Sequence, residues 1–449
     1  MNKPPLKNTT AVILAAGLGT RMKSSRPKAA HTLAGKTMLE HLLHSASQVY
    51  ENIIVVLGPE MDELARLAAP YRVVIQQERK GTAHAALQAA PFFGEGDVTI
   101  LYADNPLISA ETMRNLMVVR QNSTVSVALL AMRPKEPGHY GRVIERDGFV
   151  ERIVEWQDAT AEERAITLCN AGVLSASAKK LANWLGRVEN HNAKGEYYLG
   201  DVISLAVKDG EQVKSVEAPA EELQGINSGS ELAQAEHYLQ KRLRQVALAR
   251  GVRLIAPDTV FLCSDTELAE GVIIHPYVVF EPGVVVHRDV EIKSFSHLAN
   301  CIIHSQAIIG PYARIRPESE VGEGAHIGNF VEIKSARIAE KTKINHLSYI
   351  GNANIGSGTN IGAGTILCNY DGYSKHTTII GNNVFVGSDS VMVAPVSVGD
   401  SAIIAAGSVI THNVEKGAMA FGRARQTNIQ NRATDFRNKK SILKKEGTP

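Results

Sequence analysis

Beyond Gly251 an aliphatic residue recurs at every sixth position, and few folds can accommodate that beat. Val272, Val278, Val284 and Val290 keep the step, as do Ile303, Ile309, Ile315, Val321, Ile327 and Ile333. A third run is Ile380, Val386, Met392, Val398, Ile404 and Ile410. Glycine often follows, as in Ile309-Gly310, Val321-Gly322 and Val398-Gly399. An α-helix turns about 100° per residue, so six residues do not return to one face. A hairpin sheet has no reason to keep the step. A triangular parallel coil does: one aliphatic points inward per side and stacks on its counterpart one coil away, and a small residue permits the corner.

The beat slips between Ile333 and Ile380. Ile338, Ile344, Ile350, Ile355 and Ile361 include five-residue steps, and 368–377 interrupts the pattern with Asn369-Tyr370-Asp371-Gly372-Tyr373. Where a repeat slips a loop leaves the coil, and loops on a rigid scaffold commonly carry sites. The tail after Arg423 is rich in Arg and Lys. It reads equally as a solvated end or as a segment whose first residues reach a phosphate.

The first half has a different rhythm. Apolar runs at 11–14, 52–57, 72–76, 98–103 and 124–132 alternate with amphipathic stretches near 37–50, 60–68, 82–92 and 109–121. This predicts a Rossmann-like α/β domain, a parallel sheet with helices on both faces and ligands beyond the strands' carboxyl ends. Strand-like pieces at 141–145 and 150–155 lie in a less regular extension. Leu232, Ala235, Leu239, Leu243 and Val246 predict one connecting helix. The expected divisions are 1–228, a helical linker 229–250, and 251–449. A chain of 449 residues needs such a division.

A formal charge of +2 gives no bulk reason to expect a nucleic-acid or membrane partner. Cys169, Cys263, Cys301 and Cys368 show no CxxC spacing, which points to reduced thiols and a cytoplasmic protein. The N-terminus is polar, and no apolar run approaches the roughly 20 residues of a membrane span.

The strongest local signal is Leu14-Ala15-Ala16-Gly17-Leu18-Gly19-Thr20-Arg21-Met22, followed by Pro27-Lys28. Its glycines let backbone N–H groups approach phosphates, and Arg21 and Lys28 add two cations. It is neither the dinucleotide fingerprint, since position 22 is Met, nor a Walker A loop, since position 30 is Ala ahead of Gly35-Lys36-Thr37.

This motif resembles the nucleotidyltransferases that make sugar nucleotides. With the hexapeptide half, residues 10–428 resemble the family of bifunctional N-acetylglucosamine-1-phosphate uridylyltransferases and glucosamine-1-phosphate N-acetyltransferases. The resemblance implies that the coil is a left-handed β-helix. It implies that Leu14, Ala15, Ala16, Gly17, Gln76, Gly81 and Thr82 hold uridine, and that Arg21 and Lys28 neutralise the triphosphate. Tyr102 and Ala103 would line the same site, with Ala103 standing where the family usually has glycine. Asp104 and Asn227 would bind Mg²⁺, and Gly141, Glu155 and Asn170 would face the sugar. In the β-helix His346 would be the general base for acetyl transfer from acetyl-CoA, oriented by Glu332. Arg316, Lys334 and Tyr349 would hold the sugar phosphate, Asn360, Asn369 and Tyr370 the sugar and the acetyl group of acetyl-CoA, and Ser388, Ala406 and Arg423 the rest of that cofactor.

The implied chemistry is acetylation of glucosamine 1-phosphate, then Mg²⁺-dependent uridylyl transfer from UTP with release of pyrophosphate. The implied assembly is a homotrimer built through the β-helix. Two other readings stay open at this point: a single-activity pyrophosphorylase with a regulatory β-helix, and a non-catalytic binding subunit.

Overall fold

The computed structural model describes residues 4–192 and 195–445. The polar start at 1–3 lies outside the described residues, as does the end of the basic tail. The chain forms two compact units, one of Met1–Val246 with Leu262–Asp265, the other of Ala247–Phe261 with Thr266–Pro449.

The first unit is built on a sheet in the order Val213–Glu217, Val127–Met132, Cys169–Ser177, Asp97–Tyr102, Leu6–Leu14, Tyr50–Leu57, Arg72–Ile75. Both faces are covered. Ile13, Val55 and Leu101 pack into one core, while Val12, Val56 and Ile100 pack into another. This is why the strands read as continuous apolar runs.

The five strands expected from the sequence all run in one direction, but the sheet also takes in a strand that the sequence reading did not pick out. Cys169–Ser177 runs antiparallel to both neighbours. The chain leaves Val127–Met132, makes the hairpin Arg142–Arg146 and Phe149–Val154, and returns without the helical crossover that a parallel partner requires.

The helix Gly229–Ala249 is present, but not as a free connector. Ala235 and Leu239 are buried against Leu33, Met38, Leu107 and Ile226 of the first unit, with Leu232 and Leu243 partly buried beside them. Val246, expected in the same apolar stripe, is 43% exposed. Gln240 also exchanges two hydrogen bonds with the backbone of Leu262, holding that segment to the first unit.

In the second unit every residue of the three six-step runs is buried. Parallel strands of two to seven residues stack in register along three faces. Ile274, Ile292, Ile309, Ile327, Ile344, Ile361, Val386 and Ile404 share one face. Ile315, Ile333 and Ile350 share the next, and Val321, Ile338 and Ile355 the third. This is the expected left-handed β-helix. A coil takes 18 residues in the regular part, as from Ile309 to Ile327. It takes 17 from Ile327 to Ile344 and 25 from Ile361 to Val386, where the loop around 369–377 leaves the coil.

Some glycines of the coil are required by close approach and not by their φ. A Cβ at Gly322 would stand 2.7 Å from the backbone of Ala339 and Glu340 in the next coil. The left-handed positions are held both by glycines such as Gly310 and Gly324 and by residues with side chains such as Tyr312 and Phe330.

Candidate active sites

In the first unit the sheet's carboxyl end opens into a cavity of about 440 Å³. Its lining includes Leu14, Ala15, Ala16, Gly17, Arg21, Lys28, Gln76, Gly81, Thr82, Tyr102, Ala103, Asp104 and Asn227. These come from five separate stretches of sequence. The strand Leu6–Leu14 delivers the glycine loop, and Asp97–Tyr102 delivers Ala103 and Asp104 beside it, with Ala103 N donating to Leu14 O at 3.0 Å.

Two glycines of the loop have different roles. Gly19 has a φ of 65°, and a Cβ there would stand 2.5 Å from Lys28 Cβ, so the loop needs glycine for Lys28 to come close. Gly17 faces open space, with nothing within 4 Å of an added Cβ.

Lys28 Nζ donates to Asp104 Oδ2 at 2.5 Å and to Asn227 Oδ1 at 2.8 Å; Arg21 also donates to Asn227 Oδ1, at 2.9 Å. Asn227 reaches this point because Ile226 N donates to the carbonyl of Asp104 at 2.8 Å. Its own N–H is taken by Glu231 Oε2 at the start of the helix Gly229–Ala249. A carboxylate and an amide oxygen therefore converge on one cation. That donor set fits Mg²⁺, which takes one or two protein oxygens and completes its octahedron with phosphate and water. Among the described residues no group of three or more His, Cys, Asp or Glu converges as a richer metal site would require.

Gly141, Glu155 and Asn170 form a neighbouring cluster outside that lining. A Cβ at Gly141 would meet Glu155 Oε1 at 3.3 Å, and Asn170 N donates to Gly141 O at 2.8 Å. Asn170 Oδ1 accepts from Gly172 N, and Gly172 lies against the Tyr102 ring. Burial pushes the Tyr102 phenol well above its ordinary range, so it stays neutral. Arg79 was not anticipated: it lines the cavity and its Nε donates to Ala16 O at 2.8 Å, bracing the glycine loop.

In the β-helix His346 ends the strand Lys343–His346 and is exposed. Its Nδ1 lies 3.2 Å from Asn329 Oδ1. The expected orienting partner, Glu332, is held elsewhere: it accepts from Arg316 NH1 at 2.7 Å. Glu332 belongs to the face after the corner, whereas Asn329 is the register partner of His346 one coil below.

Lys334 and Tyr349 lie on that following face, around Gly351. Lys334 is the register partner of Gly351, and a Cβ there would meet Tyr349 Oη at 2.5 Å and Asn369 Nδ2 at 2.9 Å. Lys375 was also missed by sequence reading. Lys375 first, and then Arg316, hold the Lys334 ammonium below the ordinary lysine value. Three cations held together in this way have the electrostatics of an anion site. Asn360 stands on the preceding face, between Lys343 and Phe385. Tyr370 Oη is turned onto Gly372 O within its own loop.

Ser388 and Ala406 continue the corner that carries His346. All three lie two residues past the register partners Ile344, Val386 and Ile404. Arg423 is beside them, its Cδ 3.7 Å from a Cβ added at Gly407. The larger open hollow of this unit, about 740 Å³, lies between His304, Glu320 and Asn354 and contains none of the expected residues.

Residues 11–171 match the MobA-like NTP transferase domain, and 297–395 match the GMPPB C-terminal domain. A bifunctional protein GlmU of Gluconacetobacter diazotrophicus is 57% identical over 96% of this chain and 95% of its own. Those of Acidiphilium cryptum and Granulibacter bethesdensis are 56% and 55% identical, over 96% and 95% of this chain and 98% and 96% of their own. The chain belongs to the GlmU family of bifunctional proteins. As a GlmU-family member it is a uridylyltransferase and an acetyltransferase that together make UDP-N-acetylglucosamine, and the single-activity and non-catalytic readings are not favoured. Among the described residues no helix is long and apolar enough to cross a membrane.

Proposed function

We propose that the cavity of the first unit is the uridylyl-transfer site and that the His346 corner is the acetyl-transfer site. The observation that carries the first assignment is the convergence of Lys28, Asp104, Asn227 and Arg21 at the strand ends. Leu14 to Gly17, Gln76 and Gly81-Thr82 hold the uridine, while Arg21 and Lys28 face the triphosphate. Gly141, Glu155 and Asn170 face the sugar beside Tyr102 and Ala103. The phosphate of N-acetylglucosamine 1-phosphate attacks the α-phosphorus of UTP and pyrophosphate leaves. Catalysis is then positioning and charge stabilisation, with no protein nucleophile. Asp104 and Asn227 would hold Mg²⁺, which when bound neutralises phosphate charge. Lys28 leaves those two oxygens for the phosphates as the nucleotide enters.

In the β-helix Asn329 Oδ1 accepts from His346 Nδ1, so the lone pair is on Nε2 and available as general base. Nε2 takes a proton from the 2-amino nitrogen of glucosamine 1-phosphate as that nitrogen attacks the thioester carbonyl of acetyl-CoA. Arg316, Lys334, Lys375 and Tyr349 hold the sugar phosphate. Asn360, Asn369 and Tyr370 face the sugar and acetyl group. Ser388, Ala406 and Arg423 carry the rest of acetyl-CoA along the corner. The assembly proposed is a cytoplasmic homotrimer through the β-helix. The test of the nucleotide site is Mg²⁺-dependent pyrophosphorolysis of UDP-N-acetylglucosamine by Asp104→Asn. Activity falls by at least two orders of magnitude if the assignment is right, and full activity refutes it.

A further inference from the structure

Gln76 is buried at the end of the strand Arg72–Ile75, and it lines the cavity. Its Nε2 lies 3.1 Å from Gly81 O and 3.0 Å from His84 Nδ1. The Gly81 carbonyl can only accept, so the nitrogen end of the amide must face this way, and the same nitrogen faces His84. Both of its hydrogens are then used, and His84 Nδ1 must be an acceptor with the ring proton on Nε2.

The acceptors are themselves fixed. Gly81 has a φ of 113°, and an added Cβ would stand 2.5 Å from Tyr197 O. Ala83 N donates to that carbonyl and Tyr197 N donates to Lys80 O, so the segment cannot rotate freely. His84 lies in the helix Thr82–Gln88, between the buried Ala83 and Ala85. Gln88 Nε2 donates to the His84 carbonyl at 3.2 Å. The same nitrogen is 3.4 Å from His84 Nε2, a competing contact that would favour the other tautomer, but it is the longer of the two ring contacts, and the 3.0 Å contact from Gln76 to Nδ1 is the better hydrogen bond.

We propose that His84 is a positioning residue for nucleobase selectivity, which it enforces by leaving Gln76 only its carbonyl oxygen to offer the base. This rests on the reading of the cavity as the UTP site. An acceptor-only Gln76 suits a base with a ring N–H donor, such as N3–H of uracil. Cytosine would bring a bare ring nitrogen to that oxygen, placing two acceptors face to face, the kind of mismatch on which selective sites depend.

The experiment compares kcat/KM for UTP and for CTP, with N-acetylglucosamine 1-phosphate and Mg²⁺, in the full chain and in His84→Leu, His84→Asn and Gln76→Ala. CoA release from acetyl transfer reports that each variant is folded. His84→Leu lowers the UTP:CTP ratio roughly three- to tenfold, the worth of one such hydrogen bond, and does so through KM. His84→Asn, whose Oδ1 can accept in place of Nδ1, keeps the ratio. An unchanged ratio in His84→Leu, with a collapsed one in Gln76→Ala, overturns the role of His84 and leaves the nucleotide site standing. An unchanged ratio in Gln76→Ala overturns the nucleotide reading itself. Should His84→Leu fail to fold, the ¹⁵N shifts of the His84 ring in the unaltered chain decide: an Nε2–H tautomer supports the proposal and an Nδ1–H tautomer overturns it.

Discussion

Asn329 Oδ1 and His346 Nδ1 stand 3.2 Å apart on adjacent coils, as register partners of parallel strands. The β-helix thus supplies an orienting group one coil away. Asn329→Ala is expected to lower kcat for acetyl transfer by about tenfold, with little change in KM for either substrate and none in uridylyl transfer. Glu332→Gln, in contrast, is expected to raise KM for glucosamine 1-phosphate by loosening Arg316. Steady-state CoA release measures both.

Gly17 and Gly19 separate a binding effect from a folding effect. Gly19→Ala forces a side chain into a left-handed φ and against Lys28, so it is expected to cost about 1–3 kcal/mol of stability as well as uridylyl transfer. Gly17→Ala meets no neighbour and is expected to leave the melting temperature unchanged while raising KM for UTP. Thermal denaturation beside pyrophosphate release distinguishes them.

Lys334 gives a proton signature. Its ammonium is held below 10.5, chiefly by Lys375 and then by Arg316. A bound phosphate favours the charged form and raises that pKa. Binding of glucosamine 1-phosphate in the pH range just below 10.5 is therefore expected to take up protons. Calorimetry in buffers of different ionisation enthalpy measures the uptake, and Lys375→Met is expected to reduce it.

Asp371 ties down the 369–377 loop. Its carboxylate accepts from the backbone of Ser374 and Tyr373 and from His376, which holds its pKa well below the ordinary 3.8. A depressed carboxylate contributes order above the ordinary value and loses it as pH falls below 3.8. Asp371→Asn is expected to loosen the loop already at neutral pH, raising KM in acetyl transfer several-fold, as a steady-state pH series can show.

The six-residue beat was legible because one buried position on each side repeats as a large apolar residue, while the buried position two residues before it varies, as at Thr342, Thr359 and Ser390. The cavity was legible because glycines and cations cluster in short motifs. The strand Cys169–Ser177 was not: it lies in the less regular extension, and the missing crossover turns it antiparallel. Asn329, Lys375 and Arg79 were missed because each acts across a coil or a strand end. Counting back one coil of 17 residues from His346 leads to Asn329 and was the one available signal. Glu332 lies fourteen residues before His346, short of a full coil, and so falls past the corner.

The most direct test of two sites on one chain is a single reaction with glucosamine 1-phosphate, acetyl-CoA, UTP and Mg²⁺, following CoA and pyrophosphate together. The unaltered chain is expected to release both. Starting from N-acetylglucosamine 1-phosphate, His346→Ala still releases pyrophosphate, but it releases almost no CoA from glucosamine 1-phosphate. Asp104→Asn does the reverse. With the fold intact, normal CoA release by His346→Ala, loss of its pyrophosphate release from N-acetylglucosamine 1-phosphate, or loss of CoA release by Asp104→Asn would contradict the account.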